Sequence, residues 1–536
     1  MAAPVYTTDL ADINTAESLT GWTQLGGGAS GLGVETDYFI QGLSCVSKGG
    51  FTAVTKGQIY SAGATTITAG SAVFMWAKQN NRNLMDTVAN GGAQLVIGDG
   101  TSSFDQFYVD GSDSEGSALA GWRTYAVDPT ATPSATTGGG PAATTFFGMQ
   151  WAILGSGSLK GSPNGIDVIR HGRELRITDG DLANGYATFA GAAAFDAATA
   201  RSWGLLTPIQ GGNLFHGKLS LGQAGTAVDF RDSNRSIIVL DDPFVASTFN
   251  EVAIINASSV VIWDGIQFSH LGTVAPTVLN LNVGSFTGTS CRFSRAGITT
   301  FSSTQSCTST EWAGCGQVIT NGAVLNRSTI GGYTGVANTS ALLYNVATDP
   351  DGKLDNTSYT MGTNLTHAIE FGLVSPTSIT VRGASFTGYG STNNTNNSVF
   401  HIKRTTGTVT INLVGCSTDG AFSYRTDGAT VVVVIDPVTT QITVVDAVTK
   451  AALVGARVLL EADTGGALPA GTTIISGTTN GSGQISDLRS YVGAQPVTGR
   501  VRLSSTGGSL YKTGDIVGSI SSTSGFTATV QMIPDE

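Results

Sequence analysis

The sequence predicts an all-β protein in which two β-sandwiches flank a parallel β-helix, and three observations predict it. First, Phe268, Phe293, Trp312, Ile330, Tyr359, Phe386 and Cys416 recur about 18 to 30 residues apart, the spacing of one circuit of a solenoid. Second, the residue before each is mostly polar (Gln267, Arg292, Glu311, Thr329, Ser358, Ser385, Gly415) and the one before that small or apolar. This period of two belongs to strands. Third, 72 of the 536 residues are glycine and only 12% are charged, against about 25% in ordinary soluble domains. Helix formers are scarce and turn formers abundant. The 40% hydrophobic content separates the chain from a disordered Gly/Ser/Thr-rich polymer.

Residues 1–178 read as an antiparallel sandwich, with strands over 72–77, 94–97, 104–109, 122–127 and 146–153 separated by Gly, Asp and Pro clusters. Residues 129–143 form a surface loop, and Gly98-Asp99-Gly100 a hairpin turn. Residues 179–206 are rich enough in alanine for a helix, whose apolar edge is Phe195, Thr199 and Trp203, with Asp196 and Arg201 elsewhere. A solenoid's end coil exposes its core unless something covers it, and this segment is placed to be the lid. The coils are expected over 207–434, until Asp436-Pro437 breaks the pattern. Residues 438–536 form a second sandwich, with strands over 441–446, 456–460, 473–475 and 499–503 and a turn at 480–483.

A net charge of −11 and a pI near 4.9 argue against nucleic-acid partners, which require clustered Lys and Arg. The start of the chain does not read as a secretory signal. The longest strongly apolar run, 431–435, is far too short to cross a bilayer. A soluble protein synthesised in a cytoplasm is therefore expected. The five cysteines (Cys45, Cys291, Cys307, Cys315, Cys416) show neither CxxC nor zinc spacing and read as buried thiols, three of them on inward columns.

Because many β-helices cleave polysaccharides, the acids are candidate catalysts. Hydrolysis needs two carboxyl groups about 5 to 9.5 Å apart, which matching positions in adjacent coils could supply. Asp264 is the best exposed acid, but the column register sets Thr289, Thr308 and Asn326 at its level. The same register sets Glu311 beside Arg292 as a surface ion pair. Asp229 and Asp232 have strand-like spacing near Arg231 and Arg235, and elimination by a lyase would need bound calcium or a basic residue beside these acids. Asp110, Asp113 and Glu115, and likewise Asp349, Asp351 and Asp355, are spaced as calcium ligands, with solvated turns as the competing reading. Calcium is the one cofactor these loops suggest. Tyr389, Asn393 and Asn394 are glycan-binding candidates in a polar loop. The five histidines are dispersed, and no Gly-x-Ser-x-Gly or phosphate-binding glycine loop occurs.

The first sandwich resembles a jelly-roll of the carbohydrate-binding or lectin-like kind. The last, through 455–458 and 479–483, resembles the carboxypeptidase-regulatory-like, transthyretin-like (Ig-like) sandwiches of surface proteins. The stretches 179–195 (DGDLANGYATFAGAAAF) and 227–237 (AVDFRDSNRSI), with that terminal sandwich, resemble tailed-bacteriophage virion proteins of the fibre, spike or capsid-decoration type. The resemblance implies a jelly-roll-like head, a right-handed parallel β-helix and a non-enzymatic role on the virion surface, in adhesion or particle stabilisation. It also implies other virion proteins and host-surface glycans as partners, and a homo-oligomer, commonly a trimer, without membrane insertion. The alternative is a tailspike glycosidase or lyase acting on host polysaccharide; a bacterial adhesin would need an export signal or anchor.

Overall fold

The computed structural model describes residues 1–25, 31–40, 42–48, 51–52, 56–63, 65–78, 85–113, 121–152, 158–159, 164–198, 204–239, 244–272, 276–491, 493–503 and 510–535. Among these the chain is nearly all strand, with a single α-helix at Phe189–Ala198. By its internal contacts it divides into two units, 1–344 with 358–370, and 345–357 with 371–536, so the coils expected over 207–434 are shared between both.

The first unit opens with two antiparallel sheets. One runs in the order Ala135–Thr137, Phe104–Asp110, Ala93–Gly98, Phe146–Trp151, Lys56–Ser61, Trp22–Leu25; the other in the order Trp122–Val127, Ala72–Lys78, Asn164–Gly172, Cys45–Lys48, Leu32–Glu35. Alternate side chains such as Met75, Leu95, Phe107, Phe147, Trp151 and Ile169 meet between them and are buried. The strands expected from alternation are all present; Ile153 lies outside the described residues. Strand Glu174–Thr178 pairs parallel with Lys218–Leu221. Parallel stacking therefore begins ahead of the expected residue 207, and the helix interrupts its first circuit.

Each circuit then lays down short parallel strands in up to three columns: Lys218–Leu221 on Glu251–Ile254, Ser236–Val239 on Gln267–His270, Asp229–Ser233 on Val260–Asp264. The predicted register holds through Phe268, Phe293, Trp312, Ile330 and Tyr359. Stacked at one level, these side chains build an aromatic column: Phe293 lies 6.2 Å from Phe268 and 5.5 Å from Trp312, and Trp263 meets Phe286 edge-on at 5.1 Å. Corners are turned by residues in the left-handed conformation, Asn234, Gly265, Ser290, Ser309 and Arg327 (φ 53, 67, 53, 52 and 59°), each three residues before its column position from Gly265 onward.

The helix covers the end of this column, though not through the expected edge. Phe189 meets Phe230 at 4.9 Å, Trp263 at 5.9 Å and Phe268 at 6.1 Å, while Phe195 stacks on Tyr6 at 5.9 Å. Thr199, Arg201, Trp203 and the side chain of Asp196 lie outside the described residues.

In the second unit, parallel strands Ser378–Arg382, Thr408–Val414 and Thr430–Ile435 stack in register, as do Ser385–Thr387 and Ser417–Thr418. The partner of Phe386 is Thr418, not Cys416; the shorter strand moves the thiol two residues back, opposite Ala384. The terminal sandwich packs Gln484–Arg489, Val438–Asp446 and Phe526–Met532 against Thr473–Thr478, Arg457–Ala462, Gln495–Arg502 and Gly514–Ile520. Its core includes Ile442, Val444, Val458, Leu460, Val501 and Ile516. The turn at Asn480 forms as expected, its side-chain oxygen accepting from the Ser482 and Gln484 N–H groups.

Candidate functional site

The acids singled out from the sequence are each held by a neighbour or stand apart from a second acid. Asp229 is buried and bound through two hydrogen bonds by Arg231 (2.8 and 3.0 Å), whose guanidinium lies 4.1 Å from the centre of the Tyr186 ring. Asp232, three residues on, faces the opposite way along the chain's chemistry: it accepts the Phe189 N–H at 2.7 Å at the start of the covering helix. Burial pushes its carboxyl above the usual range, against the hydrogen bonds from Phe189 and Ser233 that lower it. Asp264 is exposed, and its strand partners are Ser233 and Thr289, with Thr308 next beyond. No acid stands opposite it. Arg292 and Glu311 form the expected pair at 3.1 Å.

The two calcium-like loops are built as ion pairs and turns. Asp110 is buried and receives Tyr125 Oη (2.7 Å), the Gly111 N–H (2.8 Å) and Arg123 (3.0 Å); Asp113 accepts the Val88 N–H at 2.9 Å, and Glu115 lies outside the described residues. In the second unit, Asp349 accepts the N–H (2.7 Å) and hydroxyl (3.0 Å) of Thr380, and Asp351 is bound by both arms of Arg382. Asp355 accepts the Gly352 N–H, and its carboxyl is raised by burial and then by Asp351. Among the described residues no group of three His, Cys, Asp or Glu is placed to hold a metal ion. Arginine stands where a cation was expected.

Of the glycan-binding candidates the two asparagines reach solvent, Asn393 and Asn394 being exposed. Tyr389 is buried, not exposed, and burial raises its phenol. Asn393 accepts the Tyr424 N–H (3.0 Å) and Asn394 that of Thr426 (3.2 Å), so both amides tie their loop to strand Tyr424–Thr426. The polar loop faces solvent at these asparagines and is tied to the next coil by the same side chains.

A cleft of about 680 Å³, at residues that carry no motif in the sequence, lies on the coil corners of the first unit. That is within the size range of small-ligand pockets. Pro276, Val278 and half-exposed Ile298 give it apolar surface, and Ser247, Thr248 and Thr334 give it hydroxyls. Its floor is glycine by necessity: a Cβ on Gly316 would come within 2.8 Å of the Gly297 carbonyl carbon and 2.9 Å of the Ile298 nitrogen in the coil beneath. A second left-handed corner column, Arg295, Gly314 and Gly332 (φ 55, 62 and 64°), runs beside it. Arg295 Nη1 donates to the Leu271 carbonyl at 3.0 Å. The acid nearest by strand register is Glu251, opposite Val278, and it is tied to Lys218 (3.1 Å) and Asn280 (2.6 Å). The sequence signal for this place was a run of close glycines with one arginine, which reads in isolation as an ordinary turn.

No protein-family model matches the chain, and no curated protein does. Solved structures that match include the Agl-KA catalytic domain, at 10% identity over 81% of this chain and 98% of that one, with a TM-score of 0.19. The catalytic domain of a GH87 α-1,3-glucanase in complex with nigerose matches at 9% identity over 80% and 98% (TM-score 0.17). That of Streptomyces thermodiastaticus strain HF3-3 matches at 11% over 80% and 96% (TM-score 0.14). TM-scores this low carry no argument about fold or chemistry.

Proposed function

We propose that this chain is a non-enzymatic structural protein of a tailed-bacteriophage virion, a fibre, spike or capsid-decoration component that holds host-surface polysaccharide. In this reading the first sandwich is the jelly-roll-like head, the coils a right-handed β-helix and the last sandwich the Ig-like terminal domain. The observation that carries the non-catalytic part is the engagement of the acids: Asp229 by Arg231, Asp232 by the helix start, Asp351 by Arg382, with Asp264 unaccompanied. A hydrolase needs two free carboxyl groups across a scissile bond. Stacked coils with few open strand edges suit a durable scaffold. Other virion proteins and further copies of the chain, a trimer foremost, are its partners.

The test is to incubate the purified protein with capsule or lipopolysaccharide. Retention on the polymer without release of reducing or unsaturated ends is expected; robust depolymerisation overturns the reading. A labelled protein located on the particle checks the virion assignment. The second reading is a polysaccharide depolymerase, whose candidate acids stand on strands Asp229–Ser233 and Val260–Asp264 and not in the cleft. That reading requires Asp264, Asp229 or Asp232 to be indispensable, and unchanged cleavage by all three alanine variants would remove them as catalysts.

A further inference from the structure

Among the described residues Arg295 is the one charged side chain lining the cleft. A guanidinium carries five N–H donors. One nitrogen is occupied by the Leu271 carbonyl, and no carboxylate engages Arg295 among the described residues. The bond to Leu271 holds the side chain in place, so less rotamer freedom is lost when a ligand arrives. Its stem passes over the gap left by Gly314, where an added Cβ would lie 3.8 Å from Arg295 Cγ. Ser247, Thr248 and Thr334, the last with its hydroxyl donating to the Cys315 carbonyl, line the same space as Val278 and Ile298. The cleft therefore presents one anchored cation, hydroxyl groups and flat apolar surface, on a chain whose net charge of −11 repels anionic polymers elsewhere.

We infer that the cleft is selective for an acidic polysaccharide, with Arg295 binding a sugar carboxylate while the hydroxyls and apolar side chains take the rest of the ring. A neutral chain would partly desolvate the guanidinium and offer only hydroxyl acceptors, with no opposite charge and no paired carboxylate oxygens to compensate. The inference rests on the polysaccharide-binding reading above and names the chemical class of polymer.

The test uses the full chain against polygalacturonate, polysialic acid and dextran, with Arg295→Gln, Arg295→Gly and, as a control at another exposed left-handed corner (φ 59°), Arg327→Gln. At least one carboxylate polymer should bind about tenfold or more tightly than dextran, and both Arg295 variants should lose about 10- to 100-fold of that binding. Arg295→Gly should melt no lower than the wild type, because Gly314 and Gly332 adopt the same backbone. Arg327→Gln should bind as the wild type does. Equal binding of dextran, with Arg295→Gln unaffected, overturns the inference and leaves the polysaccharide-binding reading standing. Equal losses at Arg327 and Arg295 also overturn it, since diffuse charge would then account for the attraction. Retention of none of the three polymers overturns the inference, and failure to hold host capsule or lipopolysaccharide as well sinks the polysaccharide-binding reading with it.

Discussion

The coils of the first unit and the terminal sandwich are both built from strands, yet the sandwich builds its core along each strand and the coils build theirs across successive strands. Strand Val438–Asp446 alternates buried and less buried residues over nine positions, so its core runs along the strand. Strands Arg292–Ser294, Glu311–Ala313 and Thr329–Gly331 each bury a single central side chain. Their core exists only because Phe293, Trp312 and Ile330 stand at one level in successive coils. In the sandwich a residue's environment is set by its own sheet and the facing one; in the coils it is set by the same position one circuit away. A defect in a coil should therefore pass from circuit to circuit.

The largest effect tests that difference. Trp263→Ala removes a fully buried indole that touches Phe189, Phe268, Phe286 and Phe293, and should cost about 3–5 kcal/mol. Amide exchange should rise in Val260–Asp264 and also in Ser285–Thr289 and Ser306–Thr308, the strands stacked beyond it. Leu460→Ala, at about 2–5 kcal/mol, should raise exchange in the sandwich strands alone. If Trp263→Ala leaves Ser285–Thr289 as protected as before, the coils are independent layers and the comparison fails.

A smaller effect separates the two regions by the sign of their pH response. Asp232 has its carboxyl raised from 3.8 by burial at the covered end of the column. Its folded value lies above the unfolded one, so its contribution is complete below 3.8 and is lost as pH rises through the folded value. Asp446 in the sandwich is opposite: the N–H of Thr449 and then the Tyr511 hydroxyl lower it from 3.8 to about 2. Its contribution is present above 3.8 and is lost as pH falls towards 2. Urea midpoints of wild type and Asp232→Asn should thus converge in acid and move apart, in the variant's favour, as pH climbs from 3.8 towards neutrality. For Asp446→Asn the gap should open the other way, the wild type being favoured at neutral pH. A pH-independent gap for either variant would show that its carboxyl does not couple to folding.

Both sandwiches were legible because long strands alternate, and the coils because their central residues repeat. The fine register of the second unit was not: Cys416 is apolar and suitably spaced, yet Thr418 occupies the level of Phe386, since only the backbone ladder fixes where a short strand begins. The site was far less legible. Tyr389 looks solvent-facing in a polar run yet is buried, and nothing local reveals that the next circuit's strand donates to the exposed Asn393 and Asn394. Asp351 and Arg382 are likewise distant in sequence and joined only by stacking. The cleft escaped notice because it is made by what glycine leaves out, and Arg295 gains meaning only from Gly314 and Gly316 one circuit on.

The smallest effect concerns the surface, where the two regions should cease to differ. Arg292 and Glu311 meet at 3.1 Å with 56% and 44% of their side chains exposed, whereas Arg500 and Asp515 meet at 3.9 Å with 68% and 76% exposed. Water and salt screen both pairs, and ordering two long side chains offsets most of the attraction. A double-mutant cycle with Arg292→Gln and Glu311→Gln should give a coupling of about 0.5 kcal/mol or less, and the Arg500–Asp515 cycle about zero. A coupling well above about 1 kcal/mol at Arg292–Glu311 would mean that stacking pre-orders outward side chains as it does inward ones. The column principle would then extend to the polar face of the coils, and the contrast with the sandwich would reach the solvent.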